Sequence, residues 1–195
     1  MAEDPYVYPG TDVLKNKLNI KNADALLNAE KKLVALRNKQ GFPPGKFDYA
    51  HLKAIHKHLF QNIYTWAGQE RTVNISKSSG LFAFVPFIET FMSKQLALLC
   101  AENYLRGLDR QQFAKRAVYH FIELNAIHPF REGNGRTLRA FFSELAREAD
   151  YDLDWTKVNR AQWLAASEAG HQGSTILMEQ VFAAVVIQGG RHSFC

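Results

Sequence analysis

The chain has 195 residues, 47% hydrophobic and 22% charged, which fits one folded domain and excludes wholesale disorder. No apolar run approaches the ~18–20 residues of a membrane span, and residues 1–4 show no basic or apolar region of a cleaved signal peptide. Two cysteines, Cys100 and Cys195, give no disulfide framework and fit a reducing cytosol, and the net charge of +5 is too evenly spread to imply nucleic-acid binding.

Helical periodicity dominates the chain. Residues 22–39 read as a helix. In residues 48–61, Leu52, Ile55, Leu59 and Phe60 share one face. Residues 71–75 are β-branched and alternating, residues 76–80 are turn-like, and residues 81–85 are apolar and aromatic before Pro86, so a short β-hairpin is expected. A helix follows from Phe87 to about Tyr104, with Cys100 read as a buried small hydrophobe. Asp109 is a candidate N-cap for residues 109–127, where Phe113, Ala117, Phe121 and Leu124 form a stripe. After Asn134, Leu138, Phe141, Phe142, Leu145 and Ala149 recur at helical spacing. Further helices are expected over residues 157–169 and through Met178, Val181, Phe182 and Val185. No linker divides the chain, so residues 1–188 are expected as one domain and residues 189–195 as a flexible tail.

The chemistry concentrates in residues 128–139. Pro129 disfavours helix at His128, so a loop begins there. Gly133 and Gly135 let the backbone turn and approach a ligand, and the helix that starts at about Asn134 offers free N–H groups at its positive end. Such a junction binds anions, phosphate above all. Arg136 and Arg139, three apart, share a helix face and can each grip phosphate. Glu132 would repel phosphate unless it holds Mg²⁺ between carboxylate and phosphate oxygens. His128 titrates near neutral pH and can take a proton from a hydroxyl. Phe130 points to the core and pins the loop. Singly, each feature has a bland reading, since Gly-Asn-Gly punctuates loops and a histidine before proline is often structural. Their conjunction within twelve residues favours a phosphate-handling site.

This segment resembles the Fic motif His-x-Phe-x-(Asp/Glu)-Gly-Asn-Gly-Arg-x-x-Arg at every specified position. The similarity extends over about residues 4–188, including Asp4 to Thr11 and the stretch from His56 to Gly68. The resemblance implies an all-α Fic fold, a helical bundle whose only sheet element is the hairpin flap. It implies a protein adenylyltransferase that moves AMP from Mg-ATP to a Tyr, Thr or Ser hydroxyl of a target protein and releases pyrophosphate. His128 would be the base and Glu132 the Mg²⁺ ligand. The nucleotide site would comprise Phe130, Gly133, Asn134, Gly135, Arg136 and Arg139, with Arg139 on the γ-phosphate. The flap, namely Val73, Asn74, Ile75, Ser76, Lys77, Phe82, Ala83 and Phe84, would pair with the target backbone.

The resemblance also implies inhibition by a helix carrying (Ser/Thr)-x-x-x-Glu-(Gly/Asn), whose Glu pairs with Arg139. The nearest match, residues 175–180, ends in Gln180 and overlaps a core stripe, so it reads as packing. A separate small antitoxin is therefore the expected partner, and the chain reads as a cytoplasmic toxin whose target can be a type II topoisomerase subunit. The alternatives are a secreted effector domain that modifies a host protein, another donor (UMP, phosphate or phosphocholine), or a non-catalytic nucleotide-binding module. A phosphoryl-transferring Doc-type enzyme is disfavoured by Gly135 and Arg139. His56 and His58 face different sides of a helix and do not share a metal; His120, Trp66, Trp155 and Trp163 read as packing, and Lys77 as a solvated hairpin tip.

Overall fold

The computed structural model describes residues 4–77 and 80–190. Four helices begin at a polar residue that fills an otherwise free first-turn donor, Asn159 of α6 (Arg160–His171) among them. Asn22 caps α1 (Ala23–Asn38), Asp48 caps α2 (Tyr49–Phe60), and Asp109 caps α4 (Arg110–Ile127), each accepting a backbone N–H three residues on. Between them, α3 (Ile88–Ala101) ends earlier than the expected Tyr104. Asn103, Tyr104 and Leu105 all take positive φ, and this left-handed turn buries Leu105 completely.

The centre of the fold is α4, which packs against α3, α5 (Asn134–Glu148), α6 (Arg160–His171) and α7 (Ile176–Val185). Phe113, Ala117, Phe121 and Leu124 of α4 are fully buried, as are Phe141, Phe142 and Leu145 of α5. The Phe121 ring meets Phe142, Trp163 and Phe182, so the core ties α4 to α5, α6 and α7. Truncation of such a phenylalanine costs about 3–5 kcal/mol. α6 starts later than expected because Asn159 and Gln162 form a reciprocal capping box. Cys100 is exposed rather than buried: Met92, Leu96 and Leu99 take the inward face of α3, and the Tyr104 hydroxyl donates to the Cys100 Sγ at 3.1 Å.

Two short antiparallel strand pairs complete the chain among the described residues. The hairpin ladder pairs β1 (Ser76–Lys77) with β2 (Gly80–Leu81), with Ser76 opposite Leu81. It lies mostly in the stretch read as a turn and takes only Leu81 from residues 81–85, with one further bond from the Phe82 N–H to the Ile75 carbonyl at 3.3 Å before the two arms part. The reason is local: the carbonyls of Val73 and Ala83 accept from the Arg71 guanidinium instead of from each other's strand. Ser78 and Ser79 of the expected turn lie outside the described residues. The second pair joins β3 (Tyr151–Leu153) to β4 (Val186–Gln188), so the hairpin is not the only sheet element. β4 ties the end of α7 to the segment after α5, burying Val186, and the Gly189 N–H continues the tie to the Asp150 carbonyl at 3.0 Å. The rest of the expected tail, residues 191–195, lies outside the described residues. No described helix is long and apolar enough to cross a membrane.

Candidate active site

The loop between α4 and α5 forms the floor of the site. α4 stops at His128, which adopts a left-handed conformation (φ 53°, ψ 63°) ahead of Pro129. His128 Nδ1 lies 3.0 Å from the Asn125 carbonyl. A carbonyl only accepts, so Nδ1 carries the proton and Nε2 keeps its lone pair. The ring is 8% exposed and stacks on Phe82 of the hairpin. Burial, followed by the cations of Lys77 and Arg71 and by His171, pushes its pKa down to about 3 against the smaller upward pull of the Asn125 bond. His128 is thus neutral at physiological pH.

Asn134 closes the loop on itself. Its Oδ1 accepts the Phe130 N–H at 2.9 Å and its Nδ2 donates to the Phe130 carbonyl at 2.8 Å. Thr137 Oγ1 adds a bond to the Gly133 carbonyl at 3.0 Å. Phe130, grouped by sequence with the nucleotide ligands, is 1% exposed and stacks on His56 at 3.8 Å beneath the loop, so its place is structural support. The Asn134 side chain is likewise used within the loop, which leaves only backbone N–H groups of this turn to meet a ligand. Gly133, at φ 84°, is the N-cap of α5. Its N–H donates to Glu132 Oε1 at 2.8 Å, showing that this position takes an anionic oxygen.

His56 supports the loop from below, a role its sequence gave no sign of. It is fully buried, with Nδ1 accepting the Gly68 N–H at 2.8 Å and Nε2 donating to the Glu132 carbonyl at 3.0 Å. Burial pushes its pKa down to about 3, which preserves the neutral form those two bonds require.

The two motif arginines lie three apart on α5, as expected, but engage different partners. Arg136 donates to Glu30 Oε2 at 2.8 Å and to Glu132 Oε1 at 3.2 Å and lies over the Phe60 ring. Arg139 lies over the Trp163 ring, 5.0 Å from its centroid, and no carboxylate is within ion-pair distance of it among the described residues. Burial and then the neighbouring Arg136 hold its pKa below the ordinary arginine value.

A cavity of about 520 Å³ opens over this floor. His128, Glu132, Asn134 and Gly135 line one side, and Ile75, Ser76, Lys77 and Phe82 of the hairpin line another. Trp163, Leu164, Ser167 and His171 of α6 form the facing wall, so Trp163 borders the cavity as well as packing against the core. Phe130, Gly133, Arg136 and Arg139 flank or underlie the cavity without lining it, and so do Val73, Asn74, Ala83 and Phe84. The Thr175 to Gln180 match is not an inhibitory element in this structure: the Glu179 carboxylate accepts from Thr175 Oγ1 at 2.7 Å and lines a separate groove with Arg110 and Lys115.

A model of the Fic/DOC family matches residues 46–146. Protein adenylyltransferase VbhT of Bartonella schoenbuchensis is 44% identical over 180 residues, which cover 91% of this chain and 38% of that protein's length. Probable protein adenylyltransferase Fic of Escherichia coli K12 is 36% identical over 190 residues, covering 97% and 95% of the two chains. Among solved structures, BepC, a VirB-translocated effector of Bartonella tribocorum with bound AMPPNP, superposes with a TM-score of 0.88 at 30% identity. That match covers 96% of this chain and 99% of the other.

Proposed function

The chain belongs to the Fic/DOC family, and from that premise we propose that it is a protein adenylyltransferase, moving AMP from ATP to a hydroxyl of a target protein. The observation that carries the reading is the shared cavity: a neutral histidine with a free Nε2, a solvent-facing carboxylate and the N-terminus of α5 open onto one space beneath an exposed hairpin. In the reaction, Nε2 of His128 takes the proton of the incoming hydroxyl. The oxygen forms its bond to the α-phosphorus as the bond to pyrophosphate breaks, so the proton rests on the imidazole until a later exchange with solvent. The α5 N–H groups, with Arg136 and Arg139 behind them, hold the polyphosphate. Phe82 and Lys77 bring the hairpin, and the target strand it docks, up to the base.

Magnesium fits the donor set. No group of three or more His, Cys, Asp or Glu side chains suited to a metal occurs among the described residues, and Glu132 is a single carboxylate, 44% exposed at the cavity. A cation that keeps several waters and takes its remaining ligands from phosphate matches that arrangement. Glu132 would hold Mg²⁺, which when bound neutralises phosphate charge.

The free cation of Arg139 supports control by a separate small antitoxin that supplies a glutamate to it, and with it a toxin role, since Glu179 is engaged elsewhere. The test is incubation of the purified chain with α-labelled ATP, Mg²⁺ and cell lysate. Label enters protein with the intact chain and not with His128→Ala, and the intact mass of the labelled protein rises by AMP rather than by UMP, phosphate or phosphocholine. Equal labelling by His128→Ala would remove the assignment.

A further inference from the structure

Arg71 is 1% exposed, and no carboxylate lies within ion-pair distance of it among the described residues. A buried guanidinium without a counter-charge is costly, and an apolar side chain of similar volume would fill the same space more stably. Its donors explain its presence. Nε donates to the His128 carbonyl and Nη1 to the Val73 carbonyl, both at 2.8 Å. Nη2 donates to the Ala83 carbonyl and, at 3.4 Å, to that of Ile127. The Arg71 backbone N–H adds a bond to the Pro129 carbonyl at 2.9 Å. One residue therefore joins three successive carbonyls around His128 to one carbonyl from each arm of the hairpin.

We propose that Arg71 is a positioning residue that fixes the hairpin relative to His128, so that a hydroxyl presented by a docked protein strand meets the imidazole. The proposal rests on the adenylyltransferase reading above. A planar fork with donors in fixed directions makes the two segments one rigid body. Lysine, a point charge on a flexible stem, cannot bridge carbonyls on both sides. Because Phe82 directly precedes Ala83, the same clamp also holds the phenyl ring over the base.

The experiment compares Arg71→Lys and Arg71→Met with the unaltered chain, using α-labelled ATP, Mg²⁺ and bacterial lysate protein as acceptor. Two products are scored: label in protein, and free AMP formed when water attacks the α-phosphorus with loss of pyrophosphate. Water reaches the base without a hairpin; a protein hydroxyl does not. The ratio of protein label to free AMP is expected to fall about tenfold or more in both variants, with ATP affinity by calorimetry held within about twofold. Parallel loss of both products, an unchanged ratio, or loss of the helical far-UV signal in both variants would make Arg71 a stability residue and overturn the proposal. An unaltered chain that forms free AMP but labels no protein would overturn the adenylyltransferase reading itself, and the proposal with it.

Discussion

The imidazole of His128 lies nearly parallel to the phenyl ring of Phe82, 15° between planes and 3.9 Å between centroids. This contact covers one face of the imidazole and contributes to the burial that pushes its pKa from 6.5 down to about 3. A lowered pKa keeps the base form populated well below neutrality. The labelling rate should therefore stay level from about pH 8 down to about pH 5, with no histidine-type fall near neutrality. Phe82→Ala exposes the ring, returns the pKa towards its ordinary value, and should bring an acid limb up into that window. Initial rates across the range decide it; a half-loss near pH 6.5 in the unaltered chain would contradict the account.

Stability should follow the same chemistry. His56 and His128 are both held near 3 when folded and titrate at about 6.5 when unfolded. Below 6.5 the unfolded chain binds protons that the folded chain refuses, so stability is full above that value and drains as pH falls towards 3. Each histidine contributes on the order of a few kcal/mol over the window. His56→Ala removes one of the two, together with its bonds to Gly68 and Glu132 and its stack on Phe130, at a cost of about 2–4 kcal/mol. Urea midpoints at neutral and acidic pH should show the variant less stable and less sensitive to acid.

These histidines mark where the sequence stops being legible. The helices were readable because stripe and cap repeat within a few residues: Asp109 caps α4 as its position indicates, and the α5 stripe is buried as spaced. The motif was readable because its loop closes within four residues, Asn134 onto Phe130. What props the loop was not readable. His56 reaches Glu132 across 76 residues, Arg71 reaches His128 across 57, and Glu30 reaches Arg136 across 106. No local period encodes such contacts. The hairpin misled for the same reason, since Arg71 takes the carbonyls that its alternating residues offered to a longer ladder. Cys100 is illegible in another way: residue type does not say which face of α3 turns inward, and Met92, Leu96 and Leu99 take it.

The two motif glycines should answer differently to alanine. At Gly133, φ is 84° and an added Cβ would lie 2.4 Å from Phe60 Cζ. The Phe60 ring is fully buried under Arg136 and has no free direction to retreat. Backbone strain of about 1–2 kcal/mol and overpacking of about 1–3 kcal/mol then add. Gly135 is helical, and its Cβ would meet only Trp163 Nε1, at an ordinary 3.7 Å. Gly135→Ala should keep or raise the melting temperature, by up to ~1 kcal/mol of helix propensity. Yet it should weaken ATP binding, because the methyl group enters the cavity that residue 135 lines. Melting curves and ATP calorimetry on both variants separate the roles; equal ATP affinity in Gly135→Ala would show that the ligand does not approach that backbone.

Glu30 should govern how readily Glu132 becomes free for a metal. Glu30 is 4% exposed, and its carboxylate accepts from the Tyr64 hydroxyl and holds Arg136 at 2.8 Å, nearer than Glu132 does at 3.2 Å. While Arg136 is anchored to Glu30, Glu132 can leave without stranding a cation. Glu30→Gln keeps the shape and loses the charge, so Arg136 would turn its full attraction to Glu132 and hold that carboxylate back from Mg²⁺. The variant should need several-fold more Mg²⁺ for half-maximal labelling, with a smaller change in rate at saturating metal. A loss of about 1–3 kcal/mol in stability should accompany it, because a buried ion pair is reduced to a neutral contact beside a charge. Titrating Mg²⁺ at fixed ATP reads the effect directly; an unchanged Mg²⁺ requirement would mean that Arg136 never competes for Glu132.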